Sequence, residues 1–309
     1  MAYLQVYSSH DRNTINLHDA RAPRFSPTSS ASPFHRGGIN LVVWDPVTSH
    51  HQALPDPGLL PGYYNVAVLC GTARGGYGCG CDHLHCCRDS GGPFRVVLAG
   101  MDYFALGEDT GVRARLYCSE AAAWVASAHL PSNSHVMRKP SAVVGDDVYF
   151  QLMSAYVILR YDTARNRLST FDPPSAHVDE GGIVLMPMDG EDGDGSSQLG
   201  LAGVRGSRLC LWSTSVGAEG EGIAGWVRRG DIELMTRIPF LPYCEAQVIA
   251  SAEGLGTIFF FVSTEIGLFA IDLISGQERK VSEPGNYNNF TVFPFMSFYT
   301  PVSNPRSMA

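Results

Sequence analysis

Cysteine and histidine are concentrated between residues 79 and 87, and these are the side chains that zinc prefers as ligands. A closed structural zinc site needs four of them, and the run offers Cys79, Cys81, His83 and Cys86. Ligands at alternate positions of one short loop do not readily surround a single ion, so the spacing favours a surface insertion with solvent-exposed thiols. Two interpretations stay open: a loop without a cofactor, and a zinc-binding structural module.

Carboxylates form a second group of candidate ligands. The acidic run 189–195 has the composition of a calcium loop, but taking Gly195 as the turn glycine puts Gly190 where the first carboxylate is needed. No glutamate follows at the position that completes an EF-hand, so we expect a solvated hairpin loop. Asp146 and Asp147 are expected to form a turn between strands, with a paired-carboxylate site as the alternative.

The sequence lacks the short motifs of common catalytic centres. It contains no Gly-x-Ser-x-Gly elbow, no phosphate-binding loop and no His-Glu-x-x-His pattern. His50, His51 and His177 fall in predicted turns. We therefore predict a protein without enzymatic activity and without catalytic residues. The alternative is a hydrolase-like enzyme on the same scaffold, which would need Asp, Glu or His from several repeats to converge in one pocket.

The elements that must position any site are strands that carry a repeated phrase. The phrase consists of an apolar run, an Asp, a few turn residues and a polar run that closes near Pro. It occurs at 41–55, 158–173 and 267–284. The Asp side chain can bond to backbone groups further along the chain and so begin the turn. The pattern predicts a hairpin, written three times, in which the first strand is buried and the second faces solvent.

Two looser copies of the phrase end in Ser119 and Ser213 instead of Asp, and each is followed by a tryptophan, Trp124 or Trp226. The Asp or Ser that ends each of the five copies lies roughly 40 to 75 residues from the next one, and propeller blades are about 40 to 50 residues long. We therefore expect an all-β fold, a β-propeller-like array of about five to six antiparallel blades. The candidate strands are 40–45, 64–70, 94–100, 113–118, 141–144, 147–152, 156–162, 167–171, 182–187, 198–203, 208–213, 246–250, 257–262, 267–272 and 278–282.

Composition limits the classes of partner. The net charge is −8 without a basic stripe, so nucleic acid is not an expected partner. The N-terminus lacks the pattern of a signal peptide, and no apolar run approaches the roughly 18 residues that span a bilayer. We expect no membrane association, a cytoplasmic or nuclear location, and cysteines that are thiols or metal ligands rather than disulfides.

Tryptophans recur at comparable places in the repeats, at Trp44, Trp124, Trp212 and Trp226. They could line a binding face, but aromatic residues dominate the energetics of packed cores. We expect them to pack between repeats. The run 259–261 is three phenylalanines, which predicts a strand buried on both faces.

Taken together, the ordered phrases resemble the F-box-associated β-propeller region of plant F-box proteins, particularly those of grasses. The resemblance covers roughly residues 39–285. It is carried by the segments Leu41-Val42-Val43-Trp44-Asp45-Pro46-Val47-Thr48, Val144-Gly145-Asp146-Asp147-Val148-Tyr149-Phe150, Ile158-Leu159-Arg160-Tyr161-Asp162 and Gly267-Leu268-Phe269-Ala270-Ile271-Asp272.

The resemblance implies the substrate-recognition part of an SCF-type E3 ubiquitin ligase adaptor, a non-enzymatic protein-binding domain. In that family an N-terminal F-box binds a Skp-type subunit and the C-terminal domain binds the target protein. No Leu-Pro-rich amphipathic helical stretch precedes residue 39, so we expect the F-box to be missing. The expected partner is an unidentified target protein. A Skp-type subunit is expected to bind only where the full-length product carries an F-box.

The same features divide the chain. Residues 1–38 are expected to be weakly structured, 39–300 to form the propeller domain, and 301–309 to be a tail. The Cys- and Gly-rich stretch 70–92 is expected to be an insertion loop within the domain.

Overall fold

The computed structural model describes residues 3–7, 40–44, 51–58, 63–71, 93–101, 110–154, 157–174, 182–190, 197–216, 223–234, 246–252, 256–263 and 267–282. Within these ranges the chain is built from strands and turns and contains no α-helix. The expected all-β class is confirmed. The candidate zinc ligands Cys79, Cys81, His83 and Cys86 lie outside the described residues, as do the segments 8–39 and 283–309.

The described strands form five antiparallel sheets, each of which follows the chain order without a crossover. Sheet 1 consists of β1 (Tyr3–Tyr7), β2 (Asn40–Trp44) and β3 (His51–Ala53). Sheet 2 consists of β4 (Tyr64–Cys70), β5 (Phe94–Met101), β6 (Gly111–Cys118) and β7 (Ala123–Pro131). Sheet 3 consists of β8 (Ala142–Val144), β9 (Asp147–Gln151), β10 (Ile158–Asp162) and β11 (Arg167–Phe171). Sheet 4 consists of β12 (Ile183–Asp189), β13 (Ser197–Arg205), β14 (Arg208–Val216) and β15 (Ile223–Glu233). Sheet 5 consists of β16 (Gln247–Ala252), β17 (Thr257–Ser263), β18 (Gly267–Asp272) and β19 (Glu278–Ser282).

Consecutive sheets are neighbours in space. The first strand of each sheet contacts the first strand of the next, so β4 lies between β1 and β8, and β12 lies between β8 and β16. Four clusters of buried apolar side chains fill the spaces between sheets 1 and 2, 2 and 3, 3 and 4, and 4 and 5. Representative pairs, in that order, are Leu41 with Val96, Val97 with Phe150, Ile158 with Leu185, and Val184 with Phe260.

Burial on both faces explains why the inner strands are almost continuously apolar. In β9, Val148 and Phe150 pack toward sheet 2, whereas Tyr149 between them packs toward sheet 4. Successive side chains of a strand point to opposite faces, so a strand between two sheets needs apolar residues at every position. Of the phenylalanine run, Phe260 is fully buried in β17, whereas Phe259, which points to the other face of the strand, is only partly buried.

Two-residue turns join several strands. Gly145 (φ 59°) begins the turn between β8 and β9, and Gly206 (φ 58°) begins the turn between β13 and β14. A positive φ at the first position of such a hairpin matches the right-handed twist of the strands, and glycine adopts it without strain. The turn expected at Asp146 and Asp147 is confirmed, since Asp146 lies in it and Asp147 begins β9.

Candidate functional site

The repeated phrase lies on the third strand of sheets 2 to 5 and on β2, each time next to the outermost strand. At the end of β10, Asp162 Oδ1 accepts a hydrogen bond from the Arg165 backbone N–H at 2.8 Å. At the end of β18, Asp272 Oδ1 accepts from the backbone N–H groups of Ile274 and Ser275 at 3.0 and 2.7 Å. The predicted turn-initiating role is confirmed at both, whereas Asp45 lies outside the described residues.

The two serine marks differ from each other. Ser119 follows β6 within a turn, and its hydroxyl accepts a hydrogen bond from the Phe94 N–H at 2.8 Å. The prediction for Ser213 was wrong, because this residue lies in the interior of β14 and is completely buried. Arg229 Nε donates to its hydroxyl at 2.6 Å. That partner satisfies the buried oxygen and lets the strand continue through the serine.

Tryptophans connect neighbouring sheets, as expected. Trp124 Nε1 in sheet 2 donates to the Pro55 carbonyl beyond sheet 1, and Trp226 Nε1 in sheet 4 donates to the Asp172 carbonyl beyond sheet 3, both at 2.9 Å. Trp212 is buried between sheets 3 and 4. The backbone of Trp44 ends β2, but its side chain is not among the described ones.

Charged residues at one end of sheet 3 form ion pairs. Asp147 lies 2.7 Å from the Arg160 guanidinium, and Asp146 lies 3.6 Å from that of Arg95. Burial raises the pKa of the Asp147 carboxyl, and the hydrogen bond from Arg160 offsets this only in part. Each carboxylate thus has its own cation, Arg160 on the adjacent strand β10 for Asp147 and Arg95 on β5 of sheet 2 for Asp146. Such pairs tie strands and sheets together rather than leave two carboxylates facing a substrate.

Among the residues that the structure describes, no group of three or more His, Cys, Asp or Glu side chains is placed to hold a metal ion. The described thiols, Cys118 and Cys210, form no disulfide. Of the acidic run 189–195, Asp189 and Gly190 lie within the described ranges, at the end of β12. The calcium-loop comparison therefore concerns residues mainly outside them.

An open cleft of about 470 Å³ lies at the opposite strand ends of sheets 2 and 3. Its described walls are Tyr63, just before β4, Met137 and Arg138 in the segment from β7 to β8, and Met153, just after β9. The Tyr63 ring packs on the ring of His135, with 4.5 Å between centroids. The cleft combines apolar walls with one guanidinium, a composition common in sites that bind ligands.

The wall segment 137–139 is fastened to the sheets by long-range hydrogen bonds. The buried Asn65 on β4 donates from Nδ2 to the carbonyls of Met137, at 3.0 Å, and of Lys139. Met137 N donates to the Gln151 carbonyl, and Met153 N donates to the His135 carbonyl, both at 2.8 Å. The cleft walls are therefore held by β4 and β9 rather than by local turn structure.

Lys139 extends this segment toward sheet 4. Its Nζ donates to the Ile183 carbonyl at 3.0 Å. Burial lowers the pKa of the Lys139 ammonium to about 8, because removal from water disfavours the charged form. A β-carbon on Gly182 (φ 68°) would lie 2.7 Å from this nitrogen, so glycine leaves the space that the lysine occupies.

None of the cleft residues was singled out from the sequence. The signal that was available is the composition of the segment 135–139, which carries His, Val, Met, Arg and Lys where a simple turn would carry Gly, Asn or Asp. A connection rich in large side chains indicates a segment that packs against the neighbouring sheets instead of forming a simple exposed turn.

Comparisons with known proteins assign no family. No protein-family model matches the chain, and a search of curated proteins returned no match. The described part of the chain contains no helix with the length and apolarity that a bilayer crossing requires.

Proposed function

We propose that this chain is a non-enzymatic protein-binding domain with a β-propeller-like arrangement of sheets, similar to the substrate-recognition region of SCF-type F-box adaptors. The successive antiparallel sheets, whose first strands adjoin in chain order, support the arrangement. In a propeller each blade is a four-stranded antiparallel sheet, and the blades pack around a centre lined by their first strands. The ordered phrases, which begin on β2, cross from β8 to β9 and recur on β10 and β18, support the resemblance.

The observation that carries the binding function is the cleft at the strand ends of sheets 2 and 3. Loops and strand ends held by a rigid β scaffold are where such proteins bind partners. Tyr63 and Met153 are 40% and 50% exposed there. Large apolar side chains in contact with water contribute to affinity once a partner covers them.

Affinity purification with the full chain tests the proposal, using the double variant Tyr63→Ala/Met153→Ala and the control Ile274→Ala. Ile274 is 89% exposed in the turn after β18 and belongs to sheet 5. We expect a defined set of proteins to be retained by the wild type and the control and lost from the double variant. Recovery of Skp-type and cullin subunits would extend the proposal to ligase assembly. Retention of the same proteins by all three baits would overturn the role of the cleft.

A further inference from the structure

We propose that the cleft binds a glutamine side chain of the partner, whose carboxamide pairs with the buried carboxamide of Gln151. This inference rests on the proposed protein-binding function and specifies which group of the partner enters the cleft. It joins two features of the same ladder, the methionines that line the cleft and an amide that is buried beside them.

Gln151 belongs to the same short ladder as the methionines of the cleft. Met137 N donates to the Gln151 carbonyl at 2.8 Å beside the antiparallel bridge between Val136 and Leu152, and Met153 N donates across the same bridge. Successive side chains of a strand point to opposite faces, so Met137, Gln151 and Met153 share one face of this ladder. Val136 and Leu152 take the other face, where they are buried between sheets 2 and 3. The Gln151 side chain therefore lies next to two of the cleft-lining residues.

The Gln151 amide has hydrogen-bonding capacity that the described chain does not use. Gln151 is 1% exposed, and neither its Nε2 nor its Oε1 has a hydrogen-bond partner among the described residues. By contrast, the carboxamide of Asn65, which is also buried, is bonded through both its nitrogen and its oxygen. A buried polar group without a partner is costly, so a ligand that supplies both missing partners gains affinity from them.

The ligand must offer a donor and an acceptor side by side, because the Gln151 carboxamide presents one of each. A second primary carboxamide does so, and it forms two parallel hydrogen bonds without bringing a charge into the cleft. A trans peptide group does not, since its N–H and C=O point in opposite directions. Asparagine and glutamine carry a primary carboxamide, and the longer methylene stem of glutamine is suited to pass between the thioethers.

The walls of the cleft are suited to admit such a side chain. Tyr63 and Met153 are 40% and 50% exposed, and the cleft has a volume of about 470 Å³. Methionine side chains adapt to the shape of an inserted group, so they can move aside from the amide that they flank. The backbone beneath them is already held, because the Met137 carbonyl accepts from Asn65 and its N–H donates to Gln151. A site with an ordered backbone loses little entropy on binding.

Fluorescence anisotropy with labelled Gly-Ser host peptides tests the inference. The two peptides carry a single central Gln or a single central Met, which has a similar length and lacks the amide. On the wild-type chain we expect the Gln peptide to bind about tenfold more tightly than the Met peptide. That ratio corresponds to one or two hydrogen bonds of ordinary net strength.

Gln151→Met is the decisive variant, because it removes the amide with little change of shape. It should reverse the preference, since an inserted carboxamide would then lose its partners while an inserted thioether would not. Loss of folding would abolish both affinities and would not reverse their order. The matched control is Gln277→Met, because Gln277 is an exposed glutamine in the connection between β18 and β19 of sheet 5. This control should keep the tenfold preference.

Equal binding of the two peptides by the wild type, or a preference for Gln that survives Gln151→Met, would overturn the inference. So would the absence of binding by both peptides. In those cases, loss of captured partners from the Tyr63→Ala/Met153→Ala variant would still support the proposed function, with another feature of the partner's surface as the ligand. If capture is also unaffected, both proposals fail.

Discussion

At the scale of single residues, Gln151 is unusual because it is 1% exposed and neither of its amide atoms has a hydrogen-bond partner among the described residues. An unsatisfied buried polar group costs about 1–3 kcal/mol. Methionine has a similar shape and no amide, so Gln151→Met should raise the free energy of unfolding by about 1–2 kcal/mol. Urea denaturation followed by circular dichroism measures the change.

Asn65 provides the comparison for Gln151. It is also a buried amide, but both its oxygen and its nitrogen are hydrogen-bonded. Asn65→Leu should therefore lower the free energy of unfolding. If Gln151→Met is destabilising as well, the Gln151 amide has a partner in solution and the prediction is wrong.

Lys139 gives a second residue-scale prediction, in its titration. The chain contains two lysines, Lys139 and Lys280. Two-dimensional NMR of protein labelled with ¹³C at lysine Cε should show two signals, and Lys139→Arg identifies the one that it removes. Since burial lowers the pKa of Lys139 to about 8, that signal should titrate near pH 8. A midpoint near the ordinary lysine value of about 10.4 would contradict the buried position.

The lowered pKa also has a consequence for stability. Between about pH 8 and the ordinary pKa of about 10.4, the unfolded chain keeps a proton that the folded chain has released. The cost of burying the ammonium is thus present below pH 8 and is relieved as the pH rises through this window. Urea denaturation at pH 7 and pH 10 should show less alkaline loss of stability for the wild type than for Lys139→Met.

At the scale of elements, hairpin turns depend on the terminal aspartates. Burial raises the pKa of Asp162, but hydrogen bonds from the Arg165 backbone and guanidinium outweigh it, and the net pKa is lowered. Asp162→Ala removes these bonds and should cost about 1–2 kcal/mol of unfolding free energy at pH 7. Asp162→Asn keeps an acceptor oxygen and should cost less.

Lowering the pH tests whether the charge of Asp162 carries this contribution. A carboxyl with a lowered folded pKa contributes stability above its unfolded pKa, and that contribution is lost as the pH falls through the folded value. The difference between wild type and Asp162→Ala should therefore shrink between pH 5 and pH 2. A difference that is independent of pH would show that the charge of Asp162 is not involved.

The elements that sequence patterns predict well are those whose signals are local. An apolar run ending in Asp162 or Asp272 predicts a strand and its turn, because the carboxylate bonds within three residues. The strand β7 lacks such a signal, since its first residues belong to the Ala-rich run 120–126, which has helix propensity. These residues become a strand through pairing with β6. The prediction for Ser213 was wrong because its structure also depends on another strand, which supplies its partner Arg229.

The cleft depends even more on distant partners. Its segment is positioned by Asn65, which is separated in sequence by 72 residues from Met137, whose carbonyl it holds. No spacing rule connects an asparagine on β4 with the connection that follows β7, three strands later. The candidates taken from the sequence lie elsewhere, because Cys and His clusters are recognised by residue type, whereas the Tyr, Met and Arg that line the cleft are not a ligand motif in the sequence.

At the scale of the whole molecule, a ring of sheets and an open stack differ in how their interfaces depend on one another. The described interfaces join sheets 1 to 5 in order. In an open stack each sheet depends on its nearest neighbours, and the last interface is an end that can open alone. In a ring such as the proposed propeller, sheet 5 would also be held by sheet 1, and every interface would be interior.

Two matched substitutions distinguish a ring from an open stack. Phe150 fills the interface of sheets 2 and 3, Phe260 fills that of sheets 4 and 5, and both are fully buried. Replacing either with alanine should cost about 3–5 kcal/mol. Hydrogen exchange followed by mass spectrometry shows which strands lose protection of their backbone amides in each variant. For a ring, we expect both Phe260→Ala and Phe150→Ala to speed exchange in strands of all five sheets. If Phe260→Ala speeds exchange only in sheets 4 and 5 while sheets 1 to 3 keep wild-type protection, the array is open and the propeller-like arrangement is wrong.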